Sequence, residues 1–171
     1  MMRSIAAGGV VLVAAMFAWT ATAGGPPGPA QDRVYGGGFV PAGACTDGSS
    51  TFCTLGDREF SVLAVSNPDG GGAYGTVTFA NSLVRVTCLA VHGNTAVIGG
   101  VVLENANPAF VGGAYTLFVR DSGTPGASAR DGISVNFFDL PPVAPSCDVA
   151  PDGFGYGYLS VSRGDLAVVN R

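Results

Sequence analysis

Residues 83–103 have the sequence LVRVTCLAVHGNTAVIGGVVL, which predicts a β-hairpin. Apolar and polar side chains alternate over residues 84–88, and this period of two is typical of a half-buried strand. Gly93-Asn94 supplies the two residues with positive φ that a tight turn requires, and residues 95–103 return as an apolar strand. We interpret Gly99-Gly100 as a bulge or bend in this second strand.

Short runs of β-favouring residues, separated by turn residues, continue on both sides of this hairpin. No apolar period of 3.6 residues persists after residue 23, so we expect little helix. The chain is therefore predicted to be an all-β domain, a single antiparallel β-sandwich or flattened barrel of about eight to ten short strands. Outside the hairpin, the predicted strands are residues 59–65, 73–80, 114–120, 133–138, 156–162 and 166–170.

The amino terminus has the three parts of an export signal. Arg3 gives a positive start, an apolar run covers residues 5–19, and Ala21 and Ala23 form the small-x-small pattern that signal peptidase cleaves. The apolar run is shorter than the roughly 20 residues that span a bilayer. We therefore predict a signal peptide over residues 1–23, a secreted, extracellular chain, and no membrane span after cleavage.

The chain beyond the signal is predicted to be one domain behind a linker. Residues 24–32 are rich in glycine and proline and predict the linker, whereas residues 33–171 predict a single all-β domain. The full chain has 12 acidic and 8 basic residues, a net charge of −4, which argues against nucleic-acid binding. All the basic residues are arginine, a bias that indicates a GC-rich, bacterial genome.

Four cysteines in an exported chain predict two disulfides, with three connectivities open. Cys45 and Cys53 bracket a turn-rich stretch, whereas a bond between Cys88 and Cys147 would attach the proline-rich loop 139–153 to the core. We therefore favour Cys45–Cys53 together with Cys88–Cys147. Because Cys88 falls on the apolar face of its strand, we expect it to point inward. A metal site is disfavoured, since the chain has no CxxC motif and one histidine.

Catalytic candidates are few. His92 is the only histidine, and Asp121-Ser122-Gly123 is similar to the nucleophile segment of trypsin-like proteases, in which a histidine activates the serine. The glycine and the Gly-Pro that flank that segment in the proteases are replaced here. Glu59 and Glu104 are the only glutamates among the twelve acidic residues. The chain therefore offers few candidates for the paired carboxylates of a glycosidase. We assign no catalytic residue.

Asp121 and Asp131 are the candidates for calcium ligands, because calcium prefers the carboxylate and carbonyl oxygens that loops provide. Their spacing does not match an EF-hand loop. Most aspartates of the chain lie beside glycine, proline or serine, where their side chains stabilise turns. We therefore assign neither a metal nor another cofactor.

Two further motifs could contact a partner. Arg163-Gly164-Asp165 is the tripeptide that integrins bind when a loop displays it, and the sequence predicts a turn here. Phe154, Tyr156 and Tyr158, interleaved with glycines, could form a stacking platform for sugars. The alternative for these rings is that they cover glycines on one face of a sheet, and we favour that packing role.

One part of the chain resembles a known family. Residues 115–126 (YTLFVRDSGTPG) and 130–135 (RDGISV) resemble the strand–Asp-x-Gly-x-Pro-Gly–Asp–strand segment of the bacterial post-COAP domain. Residues 89–100 are similar to its Gly-Asn-Thr-Ala hairpin, and residues 164–168 to its final strand. The resemblance covers roughly residues 34–171. It implies a secreted β-domain, often an appendage of larger exported proteins, and it brings no established catalytic residues. The four cysteines and the long 139–153 loop depart from the family pattern.

The sequence therefore favours a non-enzymatic, extracellular β-domain that acts in binding or surface interaction. The partner would be an extracellular protein or a glycan. Two alternatives stay open, namely a small secreted hydrolase whose site lies in the loops and a protein inhibitor-like module.

Overall fold

The structure is a computed structural model that describes residues 30–43, 57–123, 130–134, 137–149 and 158–171. These residues form ten antiparallel strands and one short 3-10 helix, which confirms the all-β prediction. The helix is Pro108–Phe110, and the strands are β1 (Asp32–Val40), β2 (Arg58–Ser66), β3 (Tyr74–Phe79), β4 (Ser82–His92), β5 (Thr95–Glu104), β6 (Ala114–Arg120), β7 (Gly132–Ile133), β8 (Phe137–Asp139), β9 (Leu159–Ser160) and β10 (Arg163–Val169).

All ten strands belong to one sheet, which curls into a half-barrel. The strand order is β10-β1-β2-β3-β4-β5-β6-β7-β9, and β8 also pairs with β6. Strands β1 to β6 form a meander in which each strand neighbours the next one in the chain. Strand β10 returns to pair with β1, so Val169 lies opposite Arg33.

The inner face of the curled sheet holds the main hydrophobic core. Alternating residues such as Val62 in β2, Val77 in β3 and Val84 in β4 are at most 4 % exposed. Tyr115 from β6 and Leu166 from β10 belong to the same cluster. The residues between these positions point outward, because successive side chains of a strand lie on opposite faces.

A smaller apolar cluster lies on the outer face, over β5 and β6. It consists of Val97, Phe118 and Tyr158, which are all buried, and Cys147 and Val149 pack against it. The segment that follows β8 therefore covers part of the outer face.

Two hairpin turns of the meander differ in how well the sequence predicts them. The turn between β4 and β5 lies at Gly93-Asn94, as predicted, and Gly93 has a φ of 64°, whereas Asn94 does not have the positive φ that the sequence predicts. The turn between β3 and β4 contains Ala80 and Asn81, with φ values of 53° and 64°. Alanine rarely adopts this left-handed conformation, so the sequence gives little indication of the second turn.

Cys88 lies on the outer face, so the expectation that it points into the core is wrong. The pairing register shifts between Val86 and Cys88, which inserts Thr87 as an extra residue in β4. A bulge of this kind moves the following side chains to the other face. Val86 and Leu89 therefore both belong to the inner core, whereas Cys88 is opposite Gly99 on the outside.

Several element boundaries also differ from the prediction. Strand β1 begins at Asp32, which the sequence places in the linker 24–32. The predicted strand 133–138 is divided between β7 and β8, and β10 begins at Arg163, earlier than predicted. Residues 1–29, with the predicted signal peptide, lie outside the described residues. In the part of the chain that the structure describes, no helix has the length and apolarity to cross a membrane.

Candidate functional site

Asp131, one of the two calcium candidates, is a hydrogen-bond acceptor between three parts of the chain. Its carboxylate accepts the Ser122 N–H at Oδ1 (2.9 Å) and the Leu166 N–H at Oδ2 (2.8 Å). Its main-chain oxygen accepts the Val161 N–H at 2.9 Å. Because Asp131 is only 8 % exposed, these bonds satisfy donors that water reaches poorly.

Asp121, the second calcium candidate, has the same kind of role next to it. Its Oδ1 accepts the Gly123 N–H at 2.7 Å, and its Oδ2 accepts the Val168 N–H at 3.1 Å. The two aspartates thus join the free edge of β10 to residues beside β6 and β7. Each of the four carboxylate oxygens of the two aspartates therefore accepts one backbone N–H group.

Asp165 brings a third carboxyl to this edge. Loss of hydration, then the negative charges of Asp131 and Asp121 and a side-chain hydrogen bond with Asp131, raise the pKa of Asp165. These influences favour the protonated form of Asp165. Among the described residues, no group of three or more histidine, cysteine, aspartate or glutamate side chains is arranged to hold a metal ion.

The structure places His92 and Ser122 at the same end of the sheet without assembling a hydrolase triad from the described residues. Asn94, in the turn after His92, donates its side-chain N–H to the Asp121 carbonyl oxygen at 2.7 Å. A triad also needs an acid that orients the histidine. The nearby acids Asp121 and Asp131 already accept backbone N–H groups with both carboxylate oxygens.

The two glutamates considered for glycoside hydrolysis are separated in the sheet. Glu59 lies in β2 and Glu104 at the end of β5, so two whole strands stand between them. Paired glycosidase carboxylates face each other across one sugar bond, at most about 9.5 Å apart. The sheet does not give these two residues that arrangement.

Cys88 and Cys147 form a disulfide, as predicted, with their Cα atoms 6.0 Å apart. The bulge or bend predicted at Gly99-Gly100 corresponds to a bulge in the facing strand, because the β4–β5 register shifts by one residue between Val86, opposite Gly100, and Cys88, opposite Gly99. A Cβ at Gly99 would overlap the Cys88 sulfur, so the glycine makes room for this bond. The other predicted disulfide, Cys45–Cys53, lies outside the described residues.

An open cleft of about 260 Å³ lies directly beside the disulfide. The β2–β3 turn at Asp69-Gly70 forms one wall, residues 145–148 form the other, and both sulfur-bearing residues line it. The hydrogen bonds of residues 140–149 in the described chain are local, from Val143 N–H to the Leu140 oxygen and from Asp148 N–H to Ser146 Oγ. The disulfide is therefore the main attachment of this segment to β4.

Tyr158 does not form an exposed stacking platform. Its side chain is 6 % exposed, lies against Gly132, and has the Arg120 guanidinium 4.2 Å from its ring centroid. The ring thus covers a glycine, which is the packing role that the sequence favours. Phe154 and Tyr156, the other two members of the proposed platform, lie outside the described residues.

Arg163-Gly164-Asp165 lies inside β10, so the predicted turn at this place is wrong. The three residues pair with Phe39, Gly38 and Gly37 of β1. A Cβ at Gly164 would overlap the Gly37 carbonyl oxygen, so the glycines allow the two backbones to approach closely. The Arg163 guanidinium stacks 4.5 Å from the Phe39 ring centroid. Because these three residues pair with β1, they do not form the displayed loop that integrin recognition needs.

The outer face of β1, β2 and β3 carries exposed rings that the sequence analysis missed. Tyr35, Leu63 and Tyr74 are 48 %, 49 % and 55 % exposed, and together we call them the Tyr35–Leu63–Tyr74 face. Leu63 lies opposite Tyr35 in the ladder, and Tyr74 is diagonal to Leu63 on the next strand. The sequence signal for these exposed side chains was their alternation with buried residues such as Val34, but Gly36, Gly37 and Gly38 interrupt this alternation in β1.

Hydroxyl groups surround these apolar side chains. Thr76 lies opposite Leu63, and Ser61 lies opposite Thr78 in the next row of the same face. The Ser61 and Thr78 hydroxyls hydrogen-bond to each other at 2.7 Å. The face therefore combines flat apolar contact area with hydroxyl donors and acceptors, on strands that a continuous ladder holds in place.

No protein-family model matches this chain, and no curated protein or solved structure matches it either.

Proposed function

We propose that this chain is an extracellular, non-enzymatic binding domain that binds a polysaccharide with the Tyr35–Leu63–Tyr74 face. The observation that carries the proposal is the exposure of these three neighbouring side chains on a regular sheet. Single exposed apolar residues are ordinary on protein surfaces. These three lie next to one another, and they include both tyrosines among the large exposed side chains of the described residues.

The chemistry of the face favours a saccharide. A pyranose ring has an apolar C–H face, which stacks on an aromatic ring, and a rim of hydroxyls, which hydrogen-bond. Tyrosine supplies a large rigid ring at a low cost in conformational entropy. Ser61, Thr76 and Thr78 supply hydroxyls at the positions next to the rings.

Secretion is part of the same proposal. It is supported by the export signal that the sequence predicts over residues 1–23 and by the Cys88–Cys147 disulfide, since disulfides persist in oxidising compartments. Membership of the post-COAP family is also a hypothesis, supported by the turn residues quoted above. No catalytic residue belongs to this proposal.

We further propose that the curled sheet is a flattened barrel. The support is that Asp121 and Asp131 bond the free edge of β10 to the region of β6 and β7. The pairing of all ten described strands into one sheet also supports a barrel rather than two packed sheets.

The binding proposal is tested by titrating the purified chain with soluble xylan, dextran, polygalacturonate and alginate, and by pull-down with cellulose. We expect at least one of these polysaccharides to bind. Tyr35→Ala should then lower the affinity about tenfold, because an aromatic contact is worth more than about 1 kcal/mol. Leu140→Ala is the matched control, since Leu140 is 54 % exposed but directly follows β8, which pairs with β6, away from the face. No binding, or binding that Tyr35→Ala leaves unchanged, would overturn the proposal.

A further inference from the structure

The two rows that contain Tyr35, Leu63 and Tyr74 differ in charge from the rest of the molecule, including the next row on the same face, which ends at the exposed Asp165 and Glu104. The whole chain has a net charge of −4. Two cross-strand rows contain the three side chains, Arg33–Val65–Tyr74 and Tyr35–Leu63–Thr76–Arg85. The charged residues in these rows are the two exposed arginines, and the rows contain no carboxylate. An acidic protein thus places positive charge on both sides of its exposed rings.

The charges of these two arginines are not used within the described part of the protein. The Arg33 guanidinium donates to the neutral Gln31 Oε1 at 3.1 Å, and neither Arg33 nor Arg85 has a carboxylate partner among the described residues. Other arginines have evident packing roles, because Arg120 stacks on Tyr158 and Arg163 on Phe39. Arg33 and Arg85 therefore remain available for a ligand.

The positions of the charges fit a polymer that lies across the strands. Adjacent strands are about 4.8 Å apart, so the row from Tyr35 through Leu63 and Thr76 to Arg85 spans about 14 Å. A sugar chain along this row would stack on Tyr35 and Leu63 and bring its next units to Arg85. Guanidinium groups bind carboxylates with two parallel hydrogen bonds, which gives both strength and orientation.

We propose that the polysaccharide bound by the Tyr35–Leu63–Tyr74 face is anionic, with carboxylated sugar units whose carboxylates bind Arg33 and Arg85. This inference rests on the proposed function and specifies its ligand class. Neutral sugars would use only the rings and hydroxyls of the face and would leave both arginines without a partner.

The test compares polygalacturonate with its methyl ester, which has the same backbone without the charge. We expect the purified chain to bind the acid form at least about tenfold more tightly than the ester. A hydrogen bond to a charged group contributes more binding free energy than a neutral one, and the difference corresponds to about a tenfold change in affinity. Arg85→Gln should remove most of this preference. Arg130→Gln, which changes an exposed arginine away from the three strands, should leave it intact. The preference should also weaken as NaCl is raised.

The outcomes separate this inference from the proposed function. Equal binding of the acid and ester forms, with sensitivity to Tyr35→Ala, would overturn the anionic ligand and leave a saccharide-binding face. Binding of neutral polysaccharides alone would do the same. If sulfated dextran binds equally well and Arg130→Gln lowers the affinity as much as Arg85→Gln, the attraction is general charge and the inference is wrong. Absence of binding to every polysaccharide overturns both proposals.

Discussion

The meander β1 to β6 and the shorter strands that follow it are stabilised in different ways. The meander strands contain 6 to 11 residues each and pair with their sequence neighbours over most of their lengths. Strands β7, β8 and β9 contain 2, 3 and 2 residues. Strands this short form few ladder hydrogen bonds, so other groups must satisfy their backbone.

Around these short strands, side chains accept backbone N–H groups of the neighbouring strands β6 and β10. Ser134, after β7, accepts the Phe118 N–H with Oγ at 2.9 Å, while its own N–H donates to the Phe118 oxygen at 2.8 Å. The carboxylates of Asp131 and Asp121 do the same for Leu166 and Val168. A ladder distributes stability over many equivalent bonds, whereas this region depends on a few side chains. Single substitutions should therefore cost more here than in the meander.

The largest effect should come from removing the disulfide. The double variant Cys88→Ala/Cys147→Ala opens a cross-link between residues separated by 59 positions, so the loop-entropy model gives a loss of about 4 kcal/mol. Urea denaturation measures this loss. Amide exchange should increase first in residues 140–149, because the disulfide is their covalent attachment to β4, while β2 stays protected. An equal loss of amide protection in residues 140–149 and in β2 would contradict the expected difference between the carboxy-terminal part and the meander.

Asp131→Ala should have the next largest effect. It removes the acceptor of two N–H groups, from Ser122 and Leu166, at a site that is 8 % exposed. Leaving buried donors unsatisfied should lower the free energy of unfolding by about 3 kcal/mol, and the Leu166 amide should lose protection from exchange.

Asp69→Ala is the matched control for that variant. The Asp69 carboxylate accepts one N–H, from Gly71 at 2.9 Å, in an exposed turn of the meander region. Its removal should cost less than about 1 kcal/mol, since water can replace the bond. Equal losses for the two variants, measured by urea denaturation, would show that the carboxy-terminal part has no special dependence on its aspartate.

The smallest effect should come from Asp165→Asn, and it should be stabilising. The pKa of Asp165 is raised in the folded protein, so the folded state binds this proton more tightly than the unfolded state. That contribution is present below the unfolded pKa of about 3.9 and is lost as the pH rises through the folded-state pKa. Asparagine cannot lose a proton, so the variant should melt higher than the wild type at pH 7.

The pH dependence gives the control for Asp165→Asn. Solvent screens an exposed carboxyl, so the gain at pH 7 should be small. At pH 3 the wild-type carboxyl is protonated as well, and the two melting temperatures should converge. A gain of equal size at both pH values would mean that the substitution acts through something other than charge repulsion from Asp131 and Asp121.

Local patterns predicted the meander well because their causes act over a few residues. Alternation along β4 and the turn preference of Gly93-Asn94 located the central hairpin correctly, although the bulge at Thr87 breaks the alternation before Cys88 and only Gly93 of the turn has a positive φ. The same approach missed the Ala80-Asn81 turn, where the strands on both sides impose a conformation that alanine does not favour. It also misplaced Arg163-Gly164-Asp165, since turn-forming residues can equally allow two backbones to approach closely in a ladder.

The candidate site was less accessible to sequence reasoning. The sequence named Asp121 and Asp131 as calcium candidates and favoured turn stabilisation, whereas in the structure their carboxylates also accept N–H groups from residues far along the chain. Tyr35 and Tyr74 were not recognised at all. Their exposure depends on which face of the sheet is packed, and glycines interrupt the apolar alternation of β1 that would have indicated it.

The sequence by itself determined the all-β class and the central hairpin, and it favoured the pairing of Cys88 with Cys147 among three connectivities. Each depends on short-range alternation, turn preference or the small number of cysteines. The tertiary structure alone decided that Cys88 faces outward, that Asp131 bonds to β10, and that Tyr35 lies exposed beside Leu63. These features depend on a single extra residue in β4 and on contacts between residues far apart in the chain. A bulge reverses every following side chain, and the partner of an edge strand can come from anywhere in the sequence.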